Sequence, residues 1–147
     1  MGPSAARIFP ILLLIAACSF DVAGEQPLDP PAFYREWWAA TEACSGLRGD
    51  FDRVQWLVVP GHSFHCSSGQ CVGHWQPGHQ IYIAGDWAHH EMVVRHEMLH
   101  DLLERSGHPD PPFGKECALT WSTWPGSEKP PASDSTHAAD STHTAVD

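Results

Sequence analysis

The stretch of this sequence that can build a packed core is short, and that limits what it can fold into. Apart from one run near the N-terminus, most of the bulky apolar residues of the 147-residue chain lie between residues 32 and 124. Roughly 90 residues bury a marginal core, and domains of that size usually lean on cross-links or a bound metal. One domain is therefore expected over residues 32–124. Residues 125–147 are rich in Pro, Ser, Thr, Ala and Asp, and Asp-Ser-Thr-His occurs there twice, at 134–137 and 140–143. With little to bury, that segment reads as a disordered tail, and His137 and His143 as solvated residues within it. Residues 18–31, ending in Pro27-Leu28-Asp29-Pro30-Pro31, read as an extended tether.

The N-terminal apolar run follows Arg7 and covers Ile8 to Cys18. A basic start and about ten apolar residues fit a secretory signal peptide, and the run is shorter than the roughly 20 residues of a membrane span. Ile15-Ala16-Ala17-Cys18 resembles a bacterial lipobox, which makes residues 1–17 a lipoprotein-type signal peptide and Cys18 the lipidated residue. An ordinary signal peptide cut near Ala23 is the alternative. Residue 19 is Ser rather than Asp, so nothing signals inner-membrane retention. The expected location is the bacterial cell envelope, at the outer membrane or periplasm, with membrane contact only through the lipid.

Cysteine usage agrees with export. The five cysteines are Cys18, Cys44, Cys66, Cys71 and Cys117. Lipidation of Cys18 leaves four, which can form two disulfides in an oxidising compartment. Cys66 and Cys71 bracket a tight Ser-Ser-Gly-Gln loop, so the preferred pairing is Cys66–Cys71 with Cys44–Cys117. A cysteine-ligated zinc is the rival, disfavoured because there is neither a CxxC nor a second close cysteine pair. The net charge is −10, and the 8 Lys and Arg form no basic stripe, which argues against nucleic-acid binding.

The order of elements reads as α+β. Phe33, Trp37, Ala40 and Cys44 recur at helical spacing, and Gly46 and Gly49 end that helix. The β-branched stretch 54–59 reads as a strand stopped by Pro60-Gly61. Residues 63–75 read as a Gly-punctuated hairpin, and 80–84 as a short alternating strand. A long helix follows over 87–105, capped by Asp86 and stopped by Ser106-Gly107. A sheet of three or so mostly antiparallel strands is expected beside the two helices.

That long helix contains His96-Glu97-Met98-Leu99-His100, an HExxH motif. Residues i and i+4 share one helix face about 6 Å apart, so both imidazoles can reach one ion. Glu97 lies about 100° around from His96, where a carboxylate can touch a water at the ion without ligating it. Met92, Val93, Leu99, Leu102 and Leu103 can pack the helix into the core while the ligand face stays open. A catalytic zinc takes three protein ligands and a water. Glu104 continues the series but lies about 12 Å along the axis from His96, too far for the same ion. His108, just after Gly107, is the foremost third ligand, with Asp110 and Glu116 the other candidates.

A helix, a small sheet and an HExxH helix together resemble the zincin metallopeptidases, and residues 96–100 match their signature. The Gly and third His downstream are similar in kind to the metzincin HExxHxxGxxH pattern. Here Gly107 comes four residues later and His108 two residues later than that pattern sets, and no Met-turn is identifiable. A closer likeness is to small, uncharacterised exported bacterial proteins with a V-x-R-H-E-M-L-H segment. Val93, Arg95, the 96–100 motif, Gly107-His108-Pro109 and Cys117 carry it, over most of the core.

The zincin resemblance implies one Zn2+ held by His96, His100 and His108. It makes Glu97 the catalytic base that takes a proton from water and returns it to the leaving amine. It also implies that the strand at 80–84 is an edge strand for an extended peptide, with Tyr82 or His79 near the oxyanion. Asp101 reads as a solvated helix charge or as a group orienting a ligand imidazole. His62, His65, His74, His89 and His90 read as ordinary surface histidines. The expected activity is a monomeric zinc peptidase acting on a peptide or protein. The alternatives are a non-catalytic zinc-binding envelope lipoprotein and a structural domain with a chance motif.

Overall fold

A computed structural model describes residues 22–126. The expected signal peptide at 1–17, the lipidated Cys18, and all of the expected tail beyond its first two residues lie outside the described residues.

The element order is β1 (Gln26–Pro27), α1 (Ala32–Ser45), β2 (Gln55–Val59), β3 (Phe64–Cys66), β4 (Gly69–Cys71), β5 (Gly73–Gln76), β6 (Gln80–Ala84) and α2 (Glu91–Leu103). The α+β class agrees with the sequence reading. The sheets are more elaborate than three strands. Four strands form one sheet in the order β1-β2-β6-β5, and β3 pairs with β4 alone. The central β2–β6 pair is parallel, while the other three pairings are antiparallel. The β3–β4 hairpin and β5 all lie within the β2–β6 connection, which is how two strands close in sequence come to run the same way. The segment read as a tether is docked at Gln26–Pro27, and the Leu28 N–H donates to the Trp56 carbonyl at 2.9 Å.

Alternation sorts the sheet into two faces. Trp56 and Ile81 are register partners, as are Ile81 and Trp75, and Ile83 and Gly73. These residues face the helices: the Tyr34 ring of α1 lies 4.8 Å from Trp56, and Trp75 bonds Asp101 of α2. His74 and Tyr82 are partners on the opposite face. The strand at 80–84 is not an edge strand, because β6 lies between β2 and β5. The outer strand beside α2 is β5.

Helix α1 spans 32–45 and ends, as its sequence implies, in a left-handed Gly46 with φ 73°. Helix α2 is shorter than the periodicity suggests. Asp86 does not cap it, because Gly85–Trp87 turns as a separate 3-10 segment and His90 is the N-cap, its side chain accepting from the Val93 N–H. At the other end the chain becomes left-handed at Glu104 (φ 50°), three residues before Gly107. The Glu104 N–H bonds the carbonyls of Asp101 and His100, closing the last turn early.

Cys44 pairs with Cys117, and Cys66 with Cys71, both at bonding distance. The first pair ties α1 to the segment that follows α2. Among the described residues, no helix is long and apolar enough to cross a membrane.

Candidate metal centre

Every residue of α2 from Met92 to Asp101 except Arg95 is buried, His96, Glu97, His100 and Asp101 included. The ligand face is therefore covered rather than open, roofed by β5 on one side and by the returning segment after α2 on the other. Left-handed residues at Glu104 and Gly107 (φ 84°) reverse the chain and bring His108 back over the helix. The Nε2 atoms of His96 and His108 are 2.9 Å apart, and those of His100 and His96 are 3.1 Å apart. The three residues each offer a ligand atom within 4.8 Å of the other two, and of the three only His108 is exposed. Neither Asp110 nor Glu116 joins this group: both are exposed, and the Asp110 carboxylate is turned against Gly114 in its own loop. Glu104 caps α2 and is exposed as well.

The outer nitrogens fix the tautomers. His96 Nδ1 lies 2.6 Å from the Leu119 carbonyl oxygen, and His100 Nδ1 lies 3.0 Å from that of Arg105. A carbonyl oxygen only accepts, so each Nδ1 carries the proton and each Nε2 presents a lone pair. Two imidazole lone pairs aimed at one point repel each other, and a cation held between them reverses the sign. Ligands spaced tetrahedrally at a zinc–nitrogen distance of about 2.0–2.1 Å stand about 3.3–3.4 Å apart. The observed Nε2 separations are within about 0.5 Å of that spacing, so the donor set suits zinc in both chemistry and scale.

Phe113 backs the three imidazoles, its ring centroid 4.8 Å from His96, 4.7 Å from His100 and 4.9 Å from His108. Trp75 of β5 stacks beside His100, at 6.5 Å and 22°. Its Nε1–H donates to Asp101 Oδ1 at 2.8 Å, and Asp101 also meets His79 Nδ1 at 3.1 Å. Asp101 is thus neither solvated nor bonded to a ligand imidazole. It anchors Trp75 against the centre. His79 is held between Asp101 and the Arg53 guanidinium. Tyr82 is buried on the sheet face away from α2, its hydroxyl 3.4 Å from Gln80 Oε1, which removes it from the centre.

The other histidines lie outside the trio. His62, His89 and His90 line a shallow pocket of about 410 Å³ with Asp86 and Trp87. His65 is exposed. His74, taken from sequence for a surface residue, is buried beside Cys66 and Cys71. A groove of about 530 Å³ beside β5 is lined by Ser67 and by His74 to Pro77 of the strand and its turn, together with Glu104, Arg105 and Ser106 after α2.

Sequence reasoning missed Phe113, Trp75 and the two carbonyls. A backbone carbonyl leaves no mark in residue type, and an aromatic residue in a loop is indistinguishable from ordinary core. Comparisons with protein-family models, with curated proteins and with solved structures find no match to this chain.

Proposed function

We propose that this chain is a zinc-dependent peptidase of zincin type that cleaves amide bonds in the cell envelope. One observation carries the reading: the Nε2 atoms of His96, His100 and His108 converge, on a helix that also carries the buried Glu97. His96, His100 and His108 would hold one zinc ion. When bound, zinc supplies Lewis acidity toward water and the scissile carbonyl. Glu97 takes the proton of the attacking water on a carboxylate oxygen and passes it to the departing amine. The Leu119 and Arg105 carbonyls keep both imidazoles in the ligating tautomer. An extended peptide would lie in the groove along β5, whose strand edge offers backbone hydrogen bonds. In this reading the protein is an exported monomer that touches the membrane only through a lipid on Cys18.

Glu97→Gln tests the proposal. It should bind zinc as wild type does and lose cleavage of a peptide library. Equal cleavage by the variant would sink the mechanism.

A second reading, a non-catalytic zinc-binding envelope lipoprotein, is favoured by the 0% exposure of Glu97. Under that reading neither wild type nor Glu97→Gln cleaves any peptide, and both hold one zinc.

A further inference from the structure

We propose that Cys66, Cys71 and His74 form a second cation site, available when the Cys66–Cys71 disulfide is reduced. Their ligand atoms all lie within 4.8 Å of one another, and all three residues are buried. The β3–β4 register pairs Cys66 with Gly69 and Cys71 with Phe64, which holds both sulfurs at the base of one turn. Ser68 sits in that turn with its hydroxyl oxygen 3.1 Å from the Cys66 sulfur and 3.5 Å from that of Cys71. His74 enters from β5 on the sheet face away from α2, so this site shares no residue with the histidine centre. Ser67 and His74 both line the groove beside β5, which gives reagents a route to the cluster.

The chemistry is that of a soft donor set. Two thiolates and an imidazole favour zinc and its softer neighbours over magnesium or calcium, and the Ser68 hydroxyl or a water completes four-coordination. Opening the site is a thiol–disulfide exchange. A dithiol donor attacks one sulfur of the pair and expels the other as a thiolate, and the donor's second thiol then attacks the mixed disulfide and releases the first sulfur. The donor leaves as its own disulfide, and two electrons reside on Cys66 and Cys71 as thiols. Metal binding displaces the two thiol protons to solvent. In the oxidised chain only His74 remains a competent ligand, so the site is closed.

Cobalt(II) is a suitable probe for the full-length protein, because thiolate ligation adds a sulfur-to-metal charge-transfer band that imidazole ligation lacks. Oxidised protein should take up one equivalent without that band. Protein reduced with a phosphine should take up a second equivalent with it. The same metal should shield Cys66 and Cys71 from alkylation, mapped by mass spectrometry, a readout that needs no variant. Cys71→Ser and His74→Gln should each lose the second equivalent and keep the first. No second equivalent on reduction, unchanged alkylation of Cys66 and Cys71, or a thiolate band that persists in Cys71→Ser would each overturn the proposal. None of these outcomes bears on whether the histidine centre cleaves peptides.

Discussion

Gly73 stands directly against the Glu97 carboxylate: a Cβ at Gly73 would meet Oε1 at 2.6 Å and Cγ at 2.9 Å. Strand β5 can approach the proposed base this closely only because residue 73 has no side chain. Gly73→Ala should therefore push Glu97 aside without touching the three histidines. The expected stability cost is about 1–3 kcal/mol, typical of one methyl forced into a packed site. Zinc content should stay at one ion per chain. Cleavage should fall about a hundredfold, the scale of an ångström misplacement of a catalytic group. A variant that cleaves like wild type would show that the position of Glu97 is irrelevant.

Asp101 accepts from Trp75 and pairs with His79 while buried at 5% exposure. Asp101→Ala strands the indole N–H and frees the ring that stacks beside His100. A loss of about 1–3 kcal/mol is expected from the unsatisfied donor, read as a lowered urea midpoint. Asp101→Asn, which keeps an acceptor for the indole, should recover part of it. No change in Asp101→Ala would mean that Trp75 is held by packing alone.

The two disulfides should differ in weight. Cys44 and Cys117 are 73 residues apart in sequence, whereas Cys66 and Cys71 are 5 apart. Loop-closure entropy alone gives about 4 kcal/mol for the longer link and about 2 kcal/mol for the shorter. Urea denaturation of the Cys44→Ala/Cys117→Ala and Cys66→Ala/Cys71→Ala pairs should reproduce that order. The reverse order would place the main covalent support in the hairpin.

Burial pushes the Tyr34 hydroxyl pKa well above its ordinary range, and the hydroxyl donates to the Ala88 carbonyl at 2.7 Å. A raised folded-state pKa means that the native chain keeps this proton while the unfolded chain loses it above about pH 10. The contribution is full below that pH and is lost as pH rises through the folded-state value. The melting temperature should fall as pH climbs past about 10. Tyr34→Phe should flatten that fall while lowering stability at neutral pH. An unchanged alkaline slope in the variant would assign the effect to other groups.

How much was legible in the sequence depended on whether the signal was local. Helix α1, its Gly46 stop, the strand at 80–84 and the Cys66–Cys71 pair follow from short-range spacing, and Cys44–Cys117 is the pair that then remains. The shared face of His96 and His100 is local too, since it needs only the 3.6-residue period. His108 was within reach because Gly107 marked a place where the chain can turn back. The boundaries of α2 were not, since His90 and Glu104 replace the stronger capping residues Asp86 and Gly107 nearby. The inner position of β6 was hidden because strand order is set by long-range pairing. His74 looked like a surface residue because its burial depends on the hairpin folding over the far sheet face. Asp101 looked solvated because its partners, Trp75 and His79, are 26 and 22 residues away.

The most direct measurement is zinc content together with the zinc X-ray absorption spectrum of oxidised protein purified without chelator. One zinc per chain is expected, with three imidazole nitrogens and one further light scatterer at about 2.0–2.1 Å. His108→Ala should lower zinc affinity sharply, and Asp110→Ala should leave it unchanged. Protein that holds no zinc, or a spectrum dominated by sulfur at about 2.3 Å, would contradict a centre built from His96, His100 and His108.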